Sequence, residues 1–114
     1  MRRSDCPITC TLDILGDKWT LVIIRDAIFK KYTTYGEFQS SHEKIASNIL
    51  AARLHKMVAH GIFEKEKDEN NKLKIHYVLT EKGNSLKEVL LSVGHWGNNY
   101  IDGTDDLMAK INAH

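Results

Sequence analysis

One proline, two cysteines and seven glycines stand among 114 residues, and each shortage excludes something. So little proline and glycine is incompatible with a collagen-like or low-complexity chain. Two cysteines cannot form the disulfide framework that holds small secreted domains together, so free thiols are expected. Apolar runs are short, the strongest being Leu21-Val22-Ile23-Ile24, far below the roughly 20 residues of a membrane helix. The start, Met1-Arg2-Arg3-Ser4-Asp5, leads into no apolar stretch, which makes the cytoplasm the expected location, with no membrane partner. Catalytic signatures are missing too: there is no Gly-rich phosphate loop, no Gly-x-Ser-x-Gly elbow and no paired-carboxylate cleft. None of the six histidines falls at the spacing of a His-Glu-x-x-His helix, and Cys6 and Cys10 lack a second ligand pair. No enzyme, metal or cofactor is therefore expected.

An excess of one charge is also lacking, since 16 basic residues face 15 acidic ones for a net of +1. Bulk electrostatics give no argument for nucleic acid, but the distribution does. Lys44 to His60 carries Lys44, Arg53 and Lys56 and no acid, whereas from Glu81 onward three lysines face five acids, a net of −2. With 42% hydrophobic and 27% charged residues, the chain reads as one globular domain over 1–114.

Periodicity orders the elements. Pro7 at a first helical position makes Cys6 an N-cap and predicts a helix to Leu15, stopped by Gly16. Lys18 to Phe29 carries Trp19, Val22, Ile23 and Ala27 on one face, widened by Leu21, Ile24 and Ile28, so this helix is buried on two sides. After the loop Lys30 to Thr34, Thr34 caps a short helix Tyr35 to Gln39. Ser40 to Lys44 reads as a turn. Ser47 is the expected N-cap of a helix to His60, with Leu50, Leu54 and Met57 inward and Gly61 ending it. The period then drops to two: Ile62 to Lys67 and Leu73 to Leu79 read as strands around an Asp68 to Lys72 turn. Thr80 caps a long helix whose Leu86, Leu90, Val93 and Tyr100 form a near-heptad seam broadened by Val89 and Trp96. A short helix with Leu107, Met108 and Ile111 ends the chain. The fold class is mainly α with a β-hairpin, a winged helix-turn-helix with a long C-terminal dimerisation helix.

Directing Leu50, Leu54 and Met57 inward puts Asn48, Ala52, His55, Lys56 and Ala59 on the opposite face. Small residues there let the backbone approach duplex DNA, Ser47, Asn48 and His55 can reach base edges, and Arg53 and Lys56 are expected at phosphates. Tyr35 and Lys44 extend the DNA-facing set. Glu64 to Lys74 holds four lysines and four acids, so only Asn71, Lys72 and Lys74 suit a phosphate on the wing. The stripe of Leu86, Val89, Leu90, Val93, Trp96 and Tyr100 exceeds what one small core can cover, which predicts a symmetric homodimer. Trp19 and Trp96 are expected as core or interface anchors and Cys10 as a small packed hydrophobe. Cys6 at a helix N-cap is placed where unpaired amides favour a thiolate, with Arg2 and Arg3 adding to this if they fold back. Its i, i+4 spacing from Cys10 does not suit a disulfide, so oxidation is expected to give a mixed disulfide or a link between subunits.

Cys6-Pro7, Leu12-Asp13-Ile14-Leu15-Gly16-Asp17-Lys18-Trp19-Thr20-Leu21, Arg25-Asp26, Tyr35-Gly36-Glu37-Phe38, Ile49-Leu50, Arg53-Leu54, Gly61-Ile62, Tyr77-Val78-Leu79-Thr80-Glu81-Lys82-Gly83 and Trp96-Gly97 together resemble the HxlR-like bacterial transcriptional regulators. The resemblance spans roughly residues 6–97. It implies a winged-helix homodimer on a pseudo-palindromic operator, and in some members the N-terminal cysteine, here Cys6, senses a small electrophile or oxidant. Two segments depart from the pattern: Lys30 to Thr34 replaces a Gly-Pro loop, and Ser40 to Lys44 replaces a Pro-Gly. The alternative is a winged-helix protein-interaction module that binds no DNA, which the near-neutral charge favours and the acid-free recognition helix opposes.

Overall fold

A computed structural model describes residues 2–112. Met1 and residues 113–114 of the expected domain lie outside them. The order is α1 (Pro7–Leu15), α2 (Thr20–Phe29), α3 (Tyr35–Gln39), α4 (Ser47–Ala59), β1 (Phe63–Lys67), β2 (Ile75–Leu79), α5 (Glu81–Asn84), α6 (Lys87–Tyr100) and α7 (Leu107–Asn112). None of the described helices is long and apolar enough to cross a membrane.

The core sits where α2, α3, α4 and β1 meet. Ile23 and Ile24 of α2, Phe38 of α3, Leu50, Leu54 and Met57 of α4, and Phe63 of β1 are all buried. Adjacent Ile23 and Ile24 point to different sides of α2, so this helix is buried on two faces as its sequence predicts. Tyr32, Phe38, Phe63 and Tyr77 stack edge to face in succession, with ring centroids 6.1, 6.0 and 6.3 Å apart, a geometry that adds quadrupole attraction to the burial of area. The hairpin pairs antiparallel from Phe63↔Leu79 to Lys67↔Ile75. Gly61, with φ +73°, makes the left-handed turn that ends α4 and launches β1.

Local chemistry explains where the expected boundaries move. Thr34 caps α3 as anticipated, in a full capping box with Glu37. Ser47 is not the cap of α4: Ala46 holds that position with extended backbone and Ser47 is the first helical residue. The second strand starts at Ile75 rather than Leu73. Asp68 accepts hydrogen bonds from the amides of Asn70 (3.0 Å) and Asn71 (3.1 Å), and the Lys74 amide donates to the Asn71 carbonyl (3.0 Å), so the turn takes in Leu73 and leaves it 93% exposed.

The expected long helix from Thr80 is broken into α5 and α6. Thr80 does cap its start, accepting from the Gly83 amide at 3.0 Å. Gly83 is pressed against β1's approach so closely that a Cβ would lie 2.3 Å from the Ile62 carbonyl oxygen. The Ser85 hydroxyl then donates to the Lys82 carbonyl (2.6 Å) and the Leu86 amide reaches only to the Gly83 carbonyl (3.1 Å), a tightened turn that interrupts the regular ladder.

Candidate nucleic-acid interface

α4 follows α3 across a short loop, and its orientation is fixed from several sides. The Tyr35 hydroxyl donates to the Ser47 carbonyl (2.9 Å), tying α3 to the first turn of α4. Lys82 donates to the His60 carbonyl (2.7 Å) beyond the last turn, where a cation complements the helix end. With Leu50, Leu54 and Met57 in the core, Ser47, Asn48, Ala51, Ala52, His55 and Ala59 are exposed along the outer face. That surface is low, polar at its N-terminal end and free of acids.

The two cations expected at phosphates on α4 are turned elsewhere. Arg53 Nε donates to Asp17 Oδ2 at 2.8 Å. Lys56 Nζ donates to the Asp13 carbonyl at 2.9 Å. Both side chains thus lie back over the α1–α2 turn, each with a partner within the protomer. Asp17 is the hub, a residue quoted in the family motif but given no task from sequence. Its Oδ2 also accepts from the amides of Trp19 (3.0 Å) and Thr20 (3.1 Å), and its Oδ1 from the Thr20 hydroxyl. Burial pushes the Asp17 carboxyl up, but the hydrogen bonds from Thr20, Arg53 and Trp19 outweigh it and hold it at about 2.

Lys44 is exposed and has a left-handed backbone with φ +56°. It lies in a loop held by Arg25, whose guanidinium meets Glu43 at 2.7 and 2.8 Å. That pairing first, with the Ser41 hydroxyl helping and burial opposing, lowers the Glu43 carboxyl to about 2. On the wing, Asn71, Lys72 and Lys74 are exposed at the turn, and the Asn71 side-chain oxygen accepts from the Leu73 amide at 3.0 Å. A link not foreseen from sequence anchors this wing. The His76 ring joins Thr33 Oγ1 through Nδ1 and Asp68 Oδ1 through Nε2, each at 2.7 Å, and the Tyr77 amide donates to the Thr33 carbonyl (2.7 Å). Partners 43 residues apart leave no periodic signal.

The expected dimer stripe divides. Leu86 and Leu90 pack against the protomer's own core. Val89, Val93, Trp96 and Tyr100 stay exposed, Trp96 at 61% and Tyr100 at 72%, so Trp96 is no core anchor within one protomer. Trp19, by contrast, packs against the core. Ile8 and Leu12 on α1 add a second exposed apolar pair. Cys6 is exposed at the N-cap of α1, with Pro7 following. The Thr9 amide first, then the Ile8 amide and the Thr9 hydroxyl, favour its thiolate and lower its pKa against a smaller effect of burial. Arg2 and Arg3 do not contribute: Arg2 pairs with Asp5 (3.1 Å) and Arg3 with Asp13 (2.8 Å). Cys10 is a partly buried thiol that donates to the Ser4 carbonyl at 3.2 Å.

A model of the HxlR-like helix-turn-helix family matches residues 14–105. The HTH-type transcriptional regulator YdeP of Bacillus subtilis (strain 168) is 34% identical over 108 residues, which are 95% of this chain and 84% of that protein. Among solved structures, that of PA1607, described as a candidate transcription factor, superposes with a TM-score of 0.81 at 39% identity over 91% of this chain and 71% of that one. The redox regulator HypR in its reduced form superposes with a TM-score of 0.71 at 27% identity, over 85% and 95% of the two chains. With the family model running from the end of α1 through α4 and the wing to the end of α6, the chain belongs to the HxlR-like helix-turn-helix family.

Proposed function

We propose that this protein is a transcriptional regulator that binds duplex DNA as a homodimer on a pseudo-palindromic operator. The observation that carries this reading is the outer face of α4, exposed and acid-free from Ser47 to Ala59, beside a wing whose turn presents Lys72. Ser47, Asn48 and His55 read base edges in the major groove, while Ala51 and Ala52 let the backbone approach closely. Lys44, Lys72 and Lys74 meet phosphates. The exposed apolar residues of α6 and α1 form the two-fold interface, which sets the two recognition helices about 34 Å apart. The near-neutral charge is the one feature on the side of the protein-docking alternative, and the acid-free α4 face and the relatives named as transcriptional regulators outweigh it.

An exposed, thiolate-favouring Cys6 supports a further role as a sensor of oxidants or electrophiles, and HypR, a redox regulator of the same architecture, is consistent with it. Modification of Cys6 would alter the packing of α1 and thereby the dimer. The experiment for the main reading is to pass fragmented genomic DNA over the immobilised protein and sequence what is retained. Enrichment of an inverted repeat, with binding that falls steeply as salt rises, is the expected result. Retention without any shared sequence, or none at low salt, would refute it.

A further inference from the structure

Among the described residues, the large apolar side chains left exposed lie on α1, on α6 and in the segment after it, with one exception. Leu73 stands apart at the far end of the β1–β2 hairpin, and at 93% it is the most exposed of them all.

The turn is built to hold it there. Asp68 Oδ2 accepts from the Asn70 and Asn71 amides at 3.0 and 3.1 Å. The Asp68 amide donates to the Lys74 carbonyl and the Lys74 amide to the Asn71 carbonyl, each at 3.0 Å, and the Asn71 side-chain oxygen accepts from the amide of Leu73 itself at 3.0 Å. Asp68 Oδ1 meets the His76 ring, whose other nitrogen meets Thr33 just before α3. The turn is thus braced against the body of the protein instead of swinging on two strands. A tip ordered beforehand loses little conformational freedom when it meets a partner.

Its surroundings say what that partner is. Asn70 to Thr80 contains no acid, and exposed Lys72 and Lys74 flank Leu73 on either side in the chain. An apolar tip between two cations matches a narrow cleft edged by anions. The minor groove of duplex DNA is such a cleft, about 6 Å wide, and leucine is among the apolar side chains that proteins insert into it. The hairpin also has the reach. β1 follows α4 directly across Gly61, and its five residues rise about 17 Å. That is half of the roughly 34 Å helical repeat, the spacing along one face of the duplex from a major groove to the next minor groove.

The floor of this groove distinguishes base pairs by one group. A·T and T·A present acceptors only, whereas G·C adds the guanine N2 amino donor. That amino group occupies the space an apolar tip would take, and a leucine covering it removes its water and offers no acceptor in return. Lys72 and Lys74 do not discriminate, because phosphates are the same in every sequence.

We propose that Leu73 is a specificity-determining residue, which enters the minor groove beside each half-site and selects base pairs that lack the guanine amino group. The inference rests on the reading of α4 and the wing as a DNA-binding surface, and the test keeps the two apart.

The alternating polymers poly(dG-dC) and poly(dI-dC) present the same hydrogen-bonding groups in the major groove and differ in the minor groove by the amino group that inosine lacks. Binding of the full-length protein to each is measured at low salt by competition against a labelled duplex. Poly(dI-dC) is expected to bind at least about fivefold tighter, the lower end of what one unfavourable base pair costs. Leu73→Ala, at an exposed position where thermal denaturation checks that the fold is kept, should bring the two polymers to within about twofold of each other. Lys72→Ala should weaken both alike and keep the ratio. Equal binding of both polymers by the unmodified protein, a ratio that survives Leu73→Ala, or a ratio that Lys72→Ala abolishes overturns the proposal and leaves DNA binding standing. The first of these is the result expected if Leu73 docks into an acid-rimmed pocket of another protein. Binding of neither polymer overturns the DNA-binding reading itself, and this proposal with it.

Discussion

Asp17→Asn is the substitution that most directly probes how the recognition helix is held. Asp17 caps the start of α2 through the Trp19 and Thr20 amides and reaches Arg53 on α4. Asparagine keeps an acceptor for the amides, so the substitution removes the charge rather than the cap. The ion pair, with side chains 30% and 24% exposed, contributes up to ~1 kcal/mol near the surface. Linkage over all the partners of the carboxylate gives the larger figure: a carboxyl held at about 2 against an ordinary 3.8 corresponds to about 2 kcal/mol at neutral pH.

The sign follows from the lowered pKa. Asp17 binds its proton less readily in the folded protein than in the unfolded chain, so its stabilisation is complete above about pH 4 and is lost as pH falls toward about 2. Urea denaturation should show Asp17→Asn less stable by ~2 kcal/mol at pH 7, with the gap to the unmodified protein shrinking to roughly 0.5 kcal/mol at pH 2. Glu43, held at about 2 by Arg25, titrates in the same acid range, so the unmodified protein keeps an acid limb in the variant's background. A deficit of equal size at both pH values would refute the charge-based account, and no deficit at pH 7 would refute the hub.

Other expectations concern separate parts of the molecule. Lys72→Ala should weaken binding to all DNA sequences alike and reduce the salt slope by about one, whereas Asn48→Ala should change sequence preference in a selection experiment. Trp96→Ala combined with Tyr100→Ala should raise the dimer dissociation constant by at least about tenfold in sedimentation analysis, since large aromatic anchors carry most of such an interface. Gly83→Ala should destabilise by about 2 kcal/mol or more in thermal denaturation, because the new methyl meets the Ile62 carbonyl oxygen. Cys6 should be alkylated with an apparent pKa below that of a free thiol, and DNA binding by Cys6→Ser should no longer respond to mild oxidant.

The fold was legible wherever one period dominated a segment. Leu50, Leu54 and Met57 on α4 and the alternating Ile75, Tyr77 and Leu79 of β2 follow directly from spacing. Thr34 was legible as a cap because a capping box is local, completed by Glu37 three residues on. Tertiary requirements were not. Nothing near Gly83 tells that its α-carbon must approach the Ile62 carbonyl, so the break before α6 was hidden inside a good heptad pattern. Leu73 matched the strand's alternation, but the Asp68 carboxylate organises the turn and overrides it. The same limit applies at the interface. The outer face of α4 follows from its helical period, while the partners of Arg53 and Lys56, 36 and 43 residues away, depend on how α1 and α2 cross it.

Those two partners change what the DNA surface can rely on. A recognition helix whose Arg53 and Lys56 are committed internally offers base contacts from uncharged or titratable side chains, and a chain of net charge +1 gains little long-range steering. On the proposed reading, phosphate affinity falls to Lys44, Lys72 and Lys74 of each protomer, a small set for one copy alone. A two-fold dimer doubles the set and makes the second half-site intramolecular, raising affinity without any new kind of contact. If α6 forms the proposed two-fold interface, substitutions that perturb α1 or α6 are expected to lower DNA affinity, and full affinity in a monomeric variant would refute this.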